Sequence, residues 1–160
     1  MTVEVQKATG LEVTGLDIEP EALELAGQYA KECGIPDSRI HWACADVHSL
    51  PFPDNSFDLV VSRGSIPFWR DHRLAAREIM RVLRPGGVAL VGGGSGRLMP
   101  KEEWEKIRPG AGTDKPIEQI FHFPFPMSDL AVAMTRAGIA DYRLMTEGGT
   151  WVEFHKPPAN

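Results

Sequence analysis

Three places in this 160-residue chain put a polar side chain where an apolar run gives out. Asp17 follows the run that begins at Leu11, Asp46 follows Arg39 to Ala45, and the pair Ser62-Arg63 follows Phe57 to Val61. A carboxylate so placed accepts hydrogen bonds from a ligand's hydroxyl or amino donors, and a guanidinium can form a two-pronged pair with a carboxylate. The plainer alternatives are a turn or cap aspartate and a surface arginine that closes its strand. Five histidines, at 41, 48, 72, 122 and 155, are dispersed. His48, His72 and His122 are the candidates for a general base, yet none has a partner in the sequence, so no catalytic base is named. Cys33 and Cys44 form no CxxC pair and no Cys/His spacing suits zinc, so two reduced thiols and no metal are expected.

The elements that must position these residues follow from alternating periods. Leu11 to Leu16 reads as a short strand. Pro20 suits a first helical turn, and Leu23, Ala26 and Ala30 share one face of a helix that runs to about Cys33 and stops at Gly34. Ile40, Trp42 and Cys44 alternate with polar neighbours in a second strand. The nearly continuous apolar run Phe57-Asp58-Leu59-Val60-Val61-Ser62 suits a central parallel strand buried on both faces. Leu74, Ala75, Ile79, Val82 and Leu83 form a helical stripe behind the N-cap candidate Asp71, ended by Pro85-Gly86-Gly87. Val88 to Val91 follows as a strand and Gly92-Gly93-Gly94-Ser95-Gly96 as a flexible linker. Residues 97–126 form an insertion or lid, with a helix near Lys101 to Ile107 and an aromatic cluster at 121–126. A last helix starts at Met127-Ser128-Asp129 and ends at Gly138, and an antiparallel hairpin completes the chain around Gly148-Gly149. The order predicts one α/β domain over residues 1–160, a doubly wound, mostly parallel sheet. In such sheets ligands bind at the carboxyl ends of the strands, which again selects Asp17, Asp46 and Ser62-Arg63.

Four stretches in order carry a family resemblance: Val13-Thr14-Gly15-Leu16-Asp17-Ile18; Ala45-Asp46-Val47-His48-Ser49-Leu50-Pro51-Phe52; Asp54-Asn55-Ser56-Phe57-Asp58-Leu59-Val60; and Arg81-Val82-Leu83-Arg84-Pro85-Gly86-Gly87. Together they resemble the class I S-adenosylmethionine-dependent methyltransferases of the small-molecule type, with a Rossmann-like fold. The resemblance implies S-adenosylmethionine as cofactor. Asp17 would take the two ribose hydroxyls, Asp46 would meet the adenine amino group, Ile18 and Val47 would sandwich the ring, Ala45 would also contact the cofactor, and Ser62 and Arg63 would line the reacting centre. It implies methyl transfer to a small-molecule acceptor, with Phe68, Trp69 and the aromatics at 121–125 as wall or packing residues. Asp58 is expected to be structural.

The family pattern opens with a strand and a D-x-G-x-G-x-G loop, and Met1 to Gly10 holds no such glycines. The expectation is therefore a truncated or shortened domain lacking its first strand, with two apolar sheet edges open to pairing by a second copy. A competing reading is a non-catalytic remnant that binds cofactor weakly or not at all. A nicotinamide-dependent oxidoreductase also places an acid after a second strand, but the Asp46 segment and the Pro-Gly-Gly turn argue against it.

A net charge of −5, with Lys and Arg scattered, argues against a nucleic-acid partner. No apolar run approaches the roughly 20 residues that cross a bilayer, and the first residues lack the pattern of a secretion signal. The expected compartment is the cytoplasm.

Overall fold

Proline and glycine set the punctuation of the first strand–helix–strand unit. The structure is a computed structural model that describes residues 1–94, 100, 102–103, 106 and 127–159. The expected insertion at 97–126, with its helix near 101–107 and its aromatic cluster, lies almost entirely outside those residues. The chain divides into two compact units, Met1–Pro51 and Phe52–Asn160.

In the first unit, helix α1 (Thr2–Thr9) stops at Gly10, whose φ of 67° and amide bond to the Gln6 carbonyl form a left-handed cap. Strand β1 (Val13–Asp17) follows. Helix α2 (Pro20–Glu32) begins with proline in its first turn, where the missing N–H costs nothing, and Gly34 at φ 70° turns the chain away. Strand β2 (Ile40–Cys44) lies parallel to β1, with Val13 opposite Ile40 and Asp17 opposite Cys44. Val3, Ala30, Ile35 and Ile40 make the core, with Cys33 and Trp42 packed against it. Tyr29 Oη donates to Glu4 Oε1 at 2.9 Å and ties α2 to α1. That bond, then Lys7, holds the Glu4 carboxyl below its usual range. The same bond, with Cys33 nearby, pushes the Tyr29 phenol up to about 12.

Gly15 has a reason that the sequence does not display. A Cβ there would lie 2.5 and 2.7 Å from Trp42 ring carbons and 3.0 Å from Thr2 Cγ2. Gly15→Ala should therefore force the indole aside and destabilise the chain by about 1–3 kcal/mol, an overpacking cost read from urea unfolding. An unchanged midpoint would show that Trp42 has room to move.

The second unit starts with a buckle. Arg81 donates through Nη1 to the Phe52 carbonyl (2.7 Å) and Asp54 Oδ1 (2.9 Å), and through Nε and Nη2 to Glu78. Lys156 Nζ reaches Asn55 Oδ1 (2.8 Å) and the Arg81 carbonyl. Asn55 sits at φ 59°, a left-handed position that asparagine tolerates. Strand β3 (Phe57–Arg63) leads through a 3-10 turn, Ile66–Phe68, to helix α3 (His72–Val82). Asp71 caps α3 by accepting from the Leu74 N–H at 2.9 Å, and Ala75, Ala76, Ile79 and Val82 form its buried face.

Strand β4 (Leu83–Gly93) begins directly after α3 and not at Val88. The helix has already ended at Val82, and Pro85-Gly86-Gly87, expected to stop it, sits within the strand at a bulge. The register passes from Phe57–Leu83 to Leu59–Val88, so the extra residues bow outward, with Gly86 at φ 81°. Helix α4 (Met127–Ala137) packs against α3, and β5 (Tyr142–Met145) and β6 (Thr150–His155) form the hairpin. The sheet order is β3-β4-β6-β5, with β3 and β4 parallel and the other pairs antiparallel. Leu83, Val91, Leu130, Met134, Val152 and Phe154 fill its core.

The architecture is the expected α/β class, two parallel strand pairs with a C-terminal antiparallel hairpin. A second expectation changes. Among the described residues β3 is an edge strand and not one buried on both faces, since it pairs there with β4 alone and leaves Leu59 47% exposed. Among the same residues β1 pairs only with β2.

Candidate functional site

The parallel register brings Asp17 and the Asp46 segment to neighbouring strand ends. Asp17 closes β1 opposite Cys44, the last residue of β2, and the Ala45 N–H donates to the Asp17 carbonyl at 2.9 Å. Asp46 is the next residue. Asp17 is exposed, and its Oδ1 accepts from the Glu19 N–H at 3.1 Å, which fixes the carboxylate at the start of α2. Asp46 Oδ1 accepts from the His48 N–H at 2.9 Å and also meets His48 Nδ1 in a short contact. The Asp46 carboxylate keeps 28% of its surface accessible, whereas the His48 ring keeps only 9%.

Ile18, next to Asp17, is 59% exposed. A β-branched apolar side chain left in water next to Asp17 is a surface that a flat ring can cover. Val47 and Ala45 are half-buried in the turn after β2. Exposed Cys44 lies in the same place, its Sγ 3.5 Å from the Ile18 carbonyl. Sequence reasoning missed both Cys44 as a neighbour and His48 as the partner of Asp46. The Asp-x-His spacing, which suits an aspartate turn, was the available signal for the second.

In the second unit, Ser62 and Arg63 end β3 and are both engaged locally. The Ser62 hydroxyl bonds to that of Ser65, and Arg63 Nε donates to the Gly94 carbonyl at 3.1 Å, a strand-closing contact. Asp58 pairs with Arg84 at 2.6 Å, a surface ion pair of small energetic weight. His72 Nε2 lies 2.9 Å from the Ile66 carbonyl, which orients the ring structurally; His122 lies outside the described residues. Trp69 is buried, whereas Phe68 is 78% exposed.

The glycine run differs from the expected linker. Gly92 and Gly93 belong to β4, and a Cβ on Gly92 would strike the Thr150 carbonyl and, at 2.7 Å, Trp151 Cα. Gly94, at φ 134°, is crowded in the same way by the Gly148 carbonyl. These glycines let the hairpin backbone approach. Ser95 and Gly96 lie outside the described residues. Among the described residues no helix is long and apolar enough to cross a membrane.

Comparison with known proteins gives this geometry a family. A methyltransferase-domain family model matches residues 1–91, across the boundary between the two units. The 2-methyl-6-phytyl-1,4-hydroquinone methyltransferase of Synechocystis is 36% identical over 103 residues, 62% of this chain and 31% of the relative. The demethylmenaquinone methyltransferase of Staphylococcus haemolyticus is 38% identical over 89 residues, 54% of this chain and 36% of the relative. This chain spans about a third of the length of the curated relatives it matches. A crystal structure from Methanococcus maripaludis, described as that of a candidate S-adenosyl-L-methionine-dependent methyltransferase, superposes with a TM-score of 0.76 at 27% identity. It covers 93% of this chain and 68% of that one. A Haemonchus contortus phosphoethanolamine N-methyltransferase in complex with S-adenosyl-L-methionine shares the fold, with a TM-score of 0.65 at 18% identity over 98% of this chain and 45% of that one. The chain belongs to the methyltransferase-domain family of the class I S-adenosylmethionine-dependent methyltransferase superfamily.

Proposed function

We propose that the chain carries out methyl transfer from S-adenosylmethionine to a small-molecule acceptor, with the nucleoside held at the ends of β1 and β2. The observation that carries this reading is the register that sets Asp17 beside the Asp46 segment, with Ile18, the next residue after Asp17, exposed. The donor chemistry fits. A ribose offers two hydroxyl donors to the Asp17 carboxylate, the adenine amino group is a donor suited to Asp46, and Ile18 with Val47 supplies apolar cover next to Ala45. The cofactor supplies an activated methyl on a sulfonium, so the protein's task is orientation and exclusion of water, an effect worth up to ~7–11 kcal/mol. Ser62 and Arg63 shape the carboxyl end of β3 through Ser65 and Gly94. One relative is named for a hydroquinone and another for demethylmenaquinone, which makes hydroquinone and quinone rings the first acceptors to try.

Cofactor binding and turnover test the reading first, and thiol protection tests it second. Titration calorimetry with S-adenosylmethionine should give saturable heat, and labelled methyl should pass to an extractable product when hydroquinones are offered. No heat at millimolar cofactor would favour the non-catalytic alternative. The second experiment uses Cys44. In Cys33→Ser the exposed Cys44 is the remaining thiol, and S-adenosylmethionine should slow its alkylation several-fold by covering Ile18 and the strand ends. An unchanged rate at saturating cofactor would place the ligand elsewhere. The same proposal has a second copy pairing with the open edges of β1 and β3, which sedimentation velocity would register as a concentration-dependent dimer.

A further inference from the structure

The second unit holds a groove that the methyltransferase reading does not use. It lies where the start of α3 meets α4, has a volume of about 720 Å³, and takes Arg70, Asp71, His72 and Arg73 from one side and Asp129, Val132 and Arg136 from the other. Positions 129, 132 and 136 fall on one face of α4 by helical spacing, so that helix turns a continuous stripe toward the groove.

We propose that this groove binds a phosphate ester through Arg70, Arg73 and Arg136. Three guanidinium groups from two different elements line one cavity in a chain whose net charge is −5, so the local excess of arginine is not a consequence of a basic surface. A phosphate monoester carries three non-bridging oxygens, and each planar guanidinium fork can hold one or two of them. The two carboxylates in the lining leave the balance positive. Asp71 caps α3, with Oδ1 on the Leu74 N–H and Oδ2 3.6 Å from Arg73, and Asp129 is the second carboxylate against three guanidinium groups. His72 is held through Nε2 at the Ile66 carbonyl. Val132, 45% exposed, offers an apolar wall to the organic part of an ester, and a cavity of this size holds more than the phosphate alone.

The test is a titration of the full chain, followed by arginine Nε–H resonances, with inorganic phosphate and then glycerol 3-phosphate. Co-sedimentation with phosphatidylcholine vesicles, with and without phosphatidic acid, forms a separate arm. Saturable binding that Arg73→Gln and Arg136→Gln each weaken roughly tenfold supports the site, because each removes a charge-assisted fork. Arg84→Gln, outside the groove and paired with Asp58, should leave binding unchanged. Binding to phosphatidic acid vesicles alone, with the same sensitivity to Arg136→Gln, supports the same chemistry with a lipid headgroup as its source. Arg73 and Arg136 are both exposed, so circular dichroism should show both variants folded. Absence of saturable binding in both arms, or equal losses in Arg84→Gln, would overturn the proposal.

Discussion

Asp17→Asn should lower the affinity for S-adenosylmethionine roughly tenfold to hundredfold while leaving the unfolding midpoint in place. Asparagine keeps an oxygen that can accept from the Glu19 N–H, as Asp17 Oδ1 does at 3.1 Å, so the entry to α2 is preserved. What it loses is the charge, and it turns an amide donor toward ribose hydroxyls that are themselves donors. A hydrogen bond to a charged group is worth about 1.5–3 kcal/mol, and about 1.4 kcal/mol corresponds to a factor of ten. Asp17→Ala should lose at least as much affinity and some stability besides, since the Glu19 amide also loses its partner. Calorimetry and urea unfolding on the same preparations separate the two effects. If Asp17→Asn bound cofactor as tightly as the parent chain, the carboxylate would be a turn residue only.

The largest expected effect on stability lies at the other end of the chain. Phe154 is fully buried on β6, a strand paired on both sides, with Ala89 opposite it on β4 and Tyr142 opposite it on β5. Phe154→Ala should cost about 3–5 kcal/mol, because the lost apolar contact is joined by a cavity that the two flanking strands cannot close. Against the roughly 5–15 kcal/mol that keeps a domain folded, this is a large share. The loss should appear as a lower urea midpoint and as faster hydrogen exchange in β4 and β6. A change below about 1 kcal/mol would mean that the hairpin contributes little to the core of its unit.

Much of the layout was legible because its signals are local. Pro20 at a helix start, Gly34 at a helix end and Asp71 as a cap each act within a turn of their own position, and all three occupy those places. The strand-end acids could be read for a related reason, since a parallel sheet collects its carboxyl ends in one place whatever the details of packing. What stayed hidden depends on partners far along the chain. Gly15 is glycine because of Trp42, and Gly92 because of the strand that returns at Thr150. The stop after α3 becomes a bulge within β4 only because Phe57 and Leu59 fix the register on either side. Arg81 reads as an ordinary helix arginine until the loop at 52–54 folds back on it. β3 reads as a central strand from its apolar run, yet among the described residues it is an edge, since hydropathy reports what a strand can bury and not what lies beside it.

The proposed site is tested most directly by titrating the isotopically labelled chain with S-adenosylhomocysteine and following its backbone amides by NMR. The amides of Asp17 and Ile18 and those of Ala45 to Val47 should move together on one binding curve, with the largest shifts at Ile18 and Val47. Saturable binding that leaves those five amides unmoved would contradict the assignment of the nucleoside to the ends of β1 and β2.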